Sequence, residues 1–236
     1  MKGILAIETA TEACSVALWR DPDIQQRHEI TPRQHSQRLF EMLRELLPDG
    51  RLPAHGIDAV CYGCGPGSFT GLRIAASAVQ GLTFATGLPA IPVSTLACQV
   101  QTALREGRVG EGDLVLSALD ARINEIYCAC YRIVGGLPLA IGEPQAIAPS
   151  RVTLPDDSEI FAGVGNGIQF LTQFPRSVQA RVEEVAPGLV PEAQDLVPLA
   201  LAYAAQGKVQ TPEQVQPLYV RDEINWKKIS EQGKRK

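Results

Sequence analysis

Short apolar runs separated by turn residues open the chain, and this pattern predicts three strands. The runs cover residues 3–7, 14–19 and 24–30, and the first of them ends on Glu8. Residues 9–13 form the first turn, and an Asp-Pro-Asp sequence at residues 21–23 forms the second. The chain therefore begins with three consecutive strands.

The next apolar positions recur at helical spacing. They predict a helix over residues 32–47 with one apolar stripe: Leu39, Met42, Leu43, Leu46 and Leu47. Thr31 is the predicted N-cap of this helix. Pro32 then occupies the first helical position, and Gln34 completes a capping box. Residues 48–50, Pro-Asp-Gly, end the helix.

A glycine-rich turn between a strand and a helix is the most distinctive stretch of the chain. The strand at residues 57–60 enters a turn made of residues that permit tight bends: Gly63, Gly65, Pro66 and Gly67. Ser68 or Thr70 caps the helix predicted over residues 69–86, which Gly87 ends. The turn lacks the Lys-Ser/Thr ending of a P-loop, so the local evidence for phosphate binding is weak.

The helix predicted over residues 69–86 carries a face of small residues. Three- and four-residue steps place five of them on one side: Gly71, Ala75, Ala78, Leu82 and Ala85. Glycine and alanine allow another element to approach closely. The pattern leaves two interpretations open, close packing on the chain's own sheet or a helix–helix contact within the fold or with a partner.

The second half of the chain repeats the pattern of the first. After a strand at residues 90–93 and a helix capped by Ser94 or Thr95, further strands are predicted over residues 113–119, 125–131, 137–147 and 160–162. A second glycine-rich turn follows at residues 163–167, and a helix at residues 193–206. We interpret this as an internal duplication within an α/β fold of mixed sheets. The predicted lobes are residues 1–108 and 109–210, with a tail at residues 211–236.

A carboxylate ends the first strand of each half. Glu8 follows the strand at residues 3–7, and Asp120 follows the strand at residues 113–119. A cleft between two such lobes is where both carboxylates could face a ligand held by glycine turns. The alternative is that each carboxylate accepts a hydrogen bond from the backbone of its own turn.

The C-terminal tail is predicted to be extended at residues 217–221. It is basic at residues 226–228 and 234–236. We expect this end to be frayed and solvated, with an arm that contacts a partner or RNA as the alternative.

Composition excludes several classes of protein. A net charge of −4 provides no overall basic field for nucleic acid. The sequence has no signal-peptide pattern and no apolar run long enough to span a membrane. The six cysteines are therefore expected to be reduced and buried in a cytoplasmic protein: Cys14, Cys61, Cys64, Cys98, Cys128 and Cys130.

Catalytic patterns are missing. His28, His35 and His55 never occur four residues apart, so no helix carries a His-x-x-x-His metal pair. Gly67-Ser68-Phe69 is not a nucleophile elbow, and no neighbouring residue marks an activated thiolate. The sequence predicts a cleft but contains none of these catalytic patterns.

Several motifs resemble the TsaB (YeaZ) family, and the resemblance runs almost end to end. They are Ile-Leu-Ala-Ile-Glu-Thr-Ala-Thr-Glu-Ala-Cys-Ser-Val-Ala-Leu at residues 4–18, Gly-Cys-Gly-Pro-Gly-Ser-Phe-Thr-Gly-Leu-Arg-Ile at 63–74, Val-Ser-Thr-Leu at 93–96, Leu-Asp-Ala-Arg at 119–122 and Tyr-Val-Arg-Asp-Glu-Ile-Asn-Trp-Lys-Lys at 219–228. The second is the most specific. The resemblance implies the duplicated actin-like fold, of the sugar-kinase, Hsp70 and ribonuclease-H type.

The resemblance also implies a function. The family supplies a non-catalytic subunit for making N6-threonylcarbamoyladenosine beside the anticodon of tRNAs that read codons beginning with A. The family's paralogue TsaD binds the metal and transfers the threonylcarbamoyl group, and TsaE is an accessory ATPase. The resemblance implies that this chain contacts tRNA only indirectly. No cofactor and no membrane contact is implied for this chain, and a nucleotide, if one binds, lies at the interface with TsaD.

The resemblance implies dimerisation through the two N-lobe helices, with TsaD or, when the protein is alone, with a second copy. It assigns these interface residues: His35, Leu39, Met42, Leu43, Leu46, Gly71, Arg73, Ala75, Ala78, Leu82 and Ala85. A vestigial cleft is expected at these residues: Glu8, Thr9, Asp120, Arg122 and Gly165. The family often has Asp where this chain has Glu8, which speaks against a Mg-nucleotide role there.

Three hypotheses compete at this stage. The resemblance favours the scaffold subunit. A metallopeptidase-like enzyme would need a metal site, and the histidine spacing opposes it. A small-molecule kinase on the same superfold would need a phosphate-binding loop and a catalytic aspartate, for which Asp120 is the candidate.

Overall fold

The computed structural model describes residues 1–155 and 159–220. The strands are β1 (Gly3–Glu8), β2 (Ala13–Arg20), β3 (Asp23–Ile30), β4 (Ala59–Gly65), β5 (Ala90–Ser94), β6 (Leu114–Arg122), β7 (Glu125–Val134), β8 (Leu137–Ile147), β9 (Phe161–Val164) and β10 (Val182–Ala186). The α-helices are α1 (His35–Leu46), α2 (Phe69–Thr86), α3 (Thr95–Arg105), α4 (Arg176–Gln179) and α5 (Ala193–Ala205). Short 3-10 helices occupy Leu52–His55, Pro149–Arg151, Asn166–Gln173 and Pro212–Gln214.

The two halves have the same sheet topology. The first five-stranded sheet has the order β3-β2-β1-β4-β5, and the second has the order β8-β7-β6-β9-β10. In each half the first three strands pair antiparallel, whereas the next two join by parallel pairing. This shared pattern confirms the predicted duplication, and the fold is the two-lobe, actin-like α/β fold.

Three apolar cores hold these layers. One lies between the first sheet and α1 and α2, and another lies beneath the second sheet. The third lies between the halves, where α3 and α5 pack together. Because α5 packs on β1, β2, β4 and β5, a helix from the second half of the chain closes one face of the first sheet. The lobe boundary near residue 108 remains a prediction.

The start of α1 differs from the prediction. The helix begins at His35 with Gln34 as its N-cap, and neither Thr31 nor a capping box closes its N-terminus. Arg33 has a φ of +67°, a left-handed conformation that cannot belong to a right-handed helix. The N–H of Thr31 instead donates to the carbonyl of Glu12, so this segment is bound to the turn after β1.

The β6–β7 connection is tighter than predicted. The first strand of this pair was predicted to end at residue 119, but β6 continues through Arg122. Arg122, Ile123 and Asn124 all have left-handed φ angles, which lets three residues reverse the chain. The next hairpin, between β7 and β8, turns at Gly135 and Gly136, and both glycines have positive φ.

The described part of the tail is bonded to the first half of the chain. Gln210 and Ala90 exchange two main-chain hydrogen bonds, and the N–H of Leu218 donates to the carbonyl of Cys64 at 2.7 Å. Tyr62 donates from its hydroxyl to Gln210 Oε1 and to the carbonyl of Gln216. Residues 210–219 thus contact β4, β5 and α2, and the end that was expected to be frayed, with its basic residues at 226–228 and 234–236, lies outside the described residues.

Candidate functional site

The glycine turn places the N-terminus of α2 against the turn after β1. An added Cβ on Gly71 would lie 1.9 Å from the carbonyl oxygen of Thr9, and one on Gly67 would lie 2.4 Å from that of Ala10. Ser68 is the N-cap, since its hydroxyl accepts a hydrogen bond from the N–H of Gly71. The helix over Phe69–Thr86 is confirmed with its predicted bounds, and Gly87 ends it in the left-handed conformation.

The face of small residues on α2 packs inside the protein. Ala75 is fully buried, Ala78 is nearly so, and Gly71 contacts the Thr9 carbonyl. Gly71 and Ala75 therefore pack on the chain's own sheet, and assigning these two to a partner interface was wrong, whereas Ala78 also lines the groove between α1 and α2 and its interface role stays a prediction. Leu82 is half-buried, and Ala85, at the end of the stripe, is exposed.

The apolar stripe of α1 is also core. Leu39 and Met42 are fully buried and Leu46 is nearly so, because α1 packs across β2. The assignment of these residues to a partner interface was wrong for the same reason. Leu43 is half-buried. His35 is only 8% exposed, and its Nε2 lies 3.1 Å from the carbonyl oxygen of Ala13.

The exposed side of the two helices is unexpectedly aromatic. Phe40 on α1 is 50% exposed, and on α2 Phe69 is 51% and Phe84 is 76% exposed. Arg73, Ser77 and Phe84 recur at helical spacing along the outside of α2. We call Phe40, Phe69, Arg73, Ser77 and Phe84 together the aromatic face. Four of them, Phe40, Phe69, Arg73 and Ser77, line a groove of about 470 Å³ between α1 and α2.

The tail segment supports one end of the aromatic face. The Arg73 guanidinium lies 3.7 Å from the centre of the Phe69 ring, and its Nε donates to the Tyr219 hydroxyl at 3.1 Å. The rings of Phe69 and Tyr219 are 5.7 Å apart. The side chains of Phe69 and Arg73 are therefore held in place before any partner arrives.

Sequence reasoning identified Arg73 in this surface but missed its three phenylalanines. The available signal was that Phe40, Phe69 and Phe84 fall off the buried stripes of amphipathic helices. Exposed aromatic side chains grouped on one surface are typical of protein–protein contacts.

A second cavity of about 770 Å³ lies between the halves of the chain. Its lining comes from the turn after β1, the segment before α1, the first turn of α2 and the β6–β7 turn, and includes Glu12, Arg33, His35, Asp120 and Arg122. This is the predicted cleft. The other proposed cleft residues, Glu8, Thr9 and Gly165, are buried beneath its lining rather than part of it.

Glu8 has no exposed surface. Its Oε1 accepts a hydrogen bond of 2.7 Å from the N–H of Ala10, and its Oε2 accepts one of 3.3 Å from the Thr95 hydroxyl. An added Cβ on Gly63 would lie 1.8 Å from Oε2, so the carboxylate fills the space left by that glycine. Burial raises the pKa of Glu8 from 4.5 to about 7, although these two hydrogen bonds oppose the shift.

Asp120 and Arg122 do reach the cleft. Asp120 Oδ1 accepts a hydrogen bond of 2.8 Å from the N–H of Arg122, and Asn166 Oδ1 accepts one from the N–H of Asp120. The Arg122 guanidinium also lies 3.2 Å from Asp120 and 3.5 Å from Glu12. The expectation that Glu8 and Asp120 face a common ligand is wrong, because only Asp120 is open to the cavity.

Within residues 1–155 and 159–220, no group of three or more His, Cys, Asp or Glu side chains is placed to hold a metal ion. The six cysteines are free thiols, as predicted, and all but the half-buried Cys64 are buried. Burial raises the pKa of Cys14, Cys64 and Cys128 to about 12, so these thiols stay protonated.

None of the helices in the described part of the chain combines the length and the apolar character needed to cross a membrane.

Comparison with known proteins connects this geometry to a family. A family model described as "TsaD: tRNA N6-adenosine threonylcarbamoyltransferase" matches residues 27–222. The tRNA threonylcarbamoyladenosine biosynthesis protein TsaB of Escherichia coli is 38% identical, and the alignment covers 96% of this chain and 97% of that protein. The TsaB of Haemophilus influenzae is 31% identical over 96% of each chain.

A solved structure agrees with the sequence relatives. YeaZ from Pseudomonas aeruginosa is 38% identical and superposes with a TM-score of 0.81, covering 93% of this chain and 100% of that one. Similarity of this extent covers both halves of the duplicated fold, including the aromatic face and the cleft. The chain belongs to the TsaB (YeaZ) family.

Proposed function

We propose that this protein is a non-catalytic partner subunit in the biosynthesis of threonylcarbamoyladenosine in tRNA, acting with TsaD and TsaE. The observation that carries the proposal is the aromatic face, which presents three exposed phenylalanines on two adjacent helices. A soluble monomer rarely leaves such a surface without a partner. The full-length TsaB relatives supply the pathway.

TsaD is the proposed occupant of the aromatic face. The chain matches the TsaD family model over residues 27–222, so TsaD is expected to present two equivalent helices on a related fold. Related folds can pair these helices in a pseudo-symmetric bundle, and a second copy of this chain can pair in the same way when TsaD is absent. Contact with tRNA is then indirect, through TsaD.

The buried Glu8 supports a non-catalytic role. A kinase or metallopeptidase on this fold would need an acidic group open to its substrate, whereas Glu8 lies beneath the cleft and contacts Gly63. Asp120 faces the cleft but is engaged by Arg122 and its own turn. We propose no cofactor for the chain alone, and place any nucleotide at the interface with TsaD.

Reconstitution tests this function. The purified protein, TsaD and their mixture are compared by size-exclusion chromatography with light scattering, and each is then assayed for tRNA modification with TsaE and an activated threonylcarbamoyl donor present. We expect a heterodimer in the mixture and modification only when both proteins are present. Threonylcarbamoyl transfer or ATP hydrolysis above background by this protein alone would contradict the non-catalytic assignment.

A further inference from the structure

Glu8 is a buried acid to which the proposed function gives no role. Its carboxylate is not part of the cavity lining, yet its Oε1 accepts the N–H of Ala10 at 2.7 Å. A carboxylate in the core is costly unless it is bonded, because burial removes it from water. A group retained at that cost, and bonded to one turn, is a candidate for positioning that turn.

The turn after β1, to which Glu8 is bonded, contacts the first turn of α2. The carbonyl of Ala10 accepts a hydrogen bond of 2.7 Å from the N–H of Ser68, the N-cap of α2. One residue earlier, the Thr9 hydroxyl donates to the carbonyl of Gly71 at 2.8 Å. Gly67 contacts the carbonyl of Ala10 and Gly71 contacts the carbonyl of Thr9, and neither position has room for a side chain. A shift of the Thr9–Ala10 segment must therefore shift the first turn of α2.

We propose that Glu8 is a positioning residue for the first turn of α2, and that ionisation of its carboxylate sets the position of Phe69 and Arg73 on the aromatic face. The ionised carboxylate is the stronger acceptor for the Ala10 N–H, so it holds the turn more tightly than the protonated acid. The consequence for partner binding rests on the proposed function. The positioning itself does not.

The surroundings of Glu8 leave its charge unneutralised. The elements packed against it contribute thiols and a hydroxyl: Cys14 on β2, Cys61 and Cys64 on β4, and Thr95 and Cys98 on α3. These thiols remain protonated, since burial raises the pKa of each. Ionisation of Glu8 is thus opposed mainly by burial, which is why its pKa reaches about 7.

The first test needs no partner. The main-chain amide shifts of Ala10, Ser68 and Leu72 are followed by NMR from pH 5 to pH 9 in the wild type, in Glu8→Gln and in Glu12→Gln. Glu8→Gln keeps the shape and an acceptor oxygen but cannot ionise, and Glu12 is a largely exposed carboxylate in the same turn. We expect all three amides to titrate together near pH 7 in the wild type and in Glu12→Gln, and to be flat in Glu8→Gln.

The outcomes separate cleanly. A titration that persists in Glu8→Gln assigns the effect to another group and overturns the proposal. Movement of the Ala10 amide without movement of Ser68 and Leu72 would also overturn it, because the carboxylate would then act on its own turn alone. A simple space-filling role predicts no coordinated titration at any of the three positions.

The second test measures the consequence for docking. The dissociation constant for TsaD is measured at pH 6 and pH 8, and we expect binding about fivefold weaker at pH 6 in the wild type and in Glu12→Gln, with no such change in Glu8→Gln. Equal affinity at both pH values would overturn the consequence for docking. Failure to bind TsaD at either pH would contradict the proposed function, while the amide titration would still decide the role of Glu8.

Discussion

Glu8 ends β1 and Asp120 lies two residues before the end of the equivalent strand β6, and each carboxylate accepts a hydrogen bond from the N–H two residues later. The distances are 2.7 Å from Ala10 and 2.8 Å from Arg122. The environments differ, because Glu8 is fully buried whereas Asp120 lines the cavity between the halves. The same local turn therefore supports the core in one half and forms surface in the other.

Glu8 should make the stability of the protein depend on pH. Its pKa is raised from 4.5 to about 7, so the folded protein holds this proton more tightly than the unfolded chain. The free energy of unfolding should therefore fall as pH rises through this interval and be constant with respect to Glu8 above it. Relative to Glu8→Gln, the wild type should lose at most about 3 kcal/mol.

Urea unfolding of both proteins at several pH values checks this prediction, with Glu12→Gln as the exposed control. Parallel curves for the wild type and Glu8→Gln between pH 4.5 and pH 7 would show that Glu8 does not bind its proton more tightly in the folded state.

Gly71 should not tolerate even alanine. Its Cβ would lie 1.9 Å from the Thr9 carbonyl oxygen, and main chain cannot move aside as a flexible side chain does. We expect Gly71→Ala to destabilise the fold by about 1–3 kcal/mol. Gly81 in the same helix has open space around it, so Gly81→Ala should be neutral or stabilising by up to about 1 kcal/mol. Thermal unfolding of the two variants is the comparison, and equal effects would count against the close contact.

The aromatic face should bind TsaD through its exposed residues. Ser77→Arg and Phe84→Asp alter exposed positions on α2, so both variants should fold and both should weaken association about tenfold or more. Leu139→Asp changes an exposed residue on β8 of the other sheet and is the matched control. Titration calorimetry measures the affinity of each variant for TsaD. Wild-type affinity in both α2 variants would show that this face does not contact TsaD.

The ion pair between Arg105 and Asp195 should stabilise the junction of α3 and α5. Arg105 Nε donates to both carboxylate oxygens, at 2.8 and 3.1 Å, and Asp195 is buried. Arg105→Ala would leave that carboxylate buried without its partner, at a cost of about 3 kcal/mol. Arg132 and Glu159 form an exposed pair, so Arg132→Ala should cost less than about 1 kcal/mol. Chemical unfolding of the two variants should show this difference, and similar losses would argue that burial is unimportant here.

Local signals were sufficient wherever the chain itself contains the cause. The helix over Phe69–Thr86 has its cap in Ser68 and its end in Gly87, and both act within one turn of the helix. The duplicated strands were visible for the same reason, since each is a short apolar run between turn residues. These predictions needed no knowledge of distant residues.

Contacts between residues far apart in the sequence explain the wrong predictions. Thr31, Pro32 and Gln34 have the pattern of a capping box, but the N–H of Thr31 pairs with Glu12, and Arg33 takes a left-handed conformation instead. That pairing joins segments whose proximity depends on the sheet. A helix cap worth about 1 kcal/mol is easily overridden by such a contact.

The chain's own sequence determined the duplicated α/β fold, the positions of most strands and helices, and the small-residue stripe on α2. The tertiary structure decided which way each stripe faces. Periodicity shows that Gly71, Ala75 and Ala78 share a side, but only the assembled sheet shows that this side is core and that Phe40, Phe69 and Phe84 remain outside. The tertiary structure likewise decided that Glu8 is buried whereas Asp120 lines the cavity. Burial depends on what packs over a strand end and not on the residues of the strand itself.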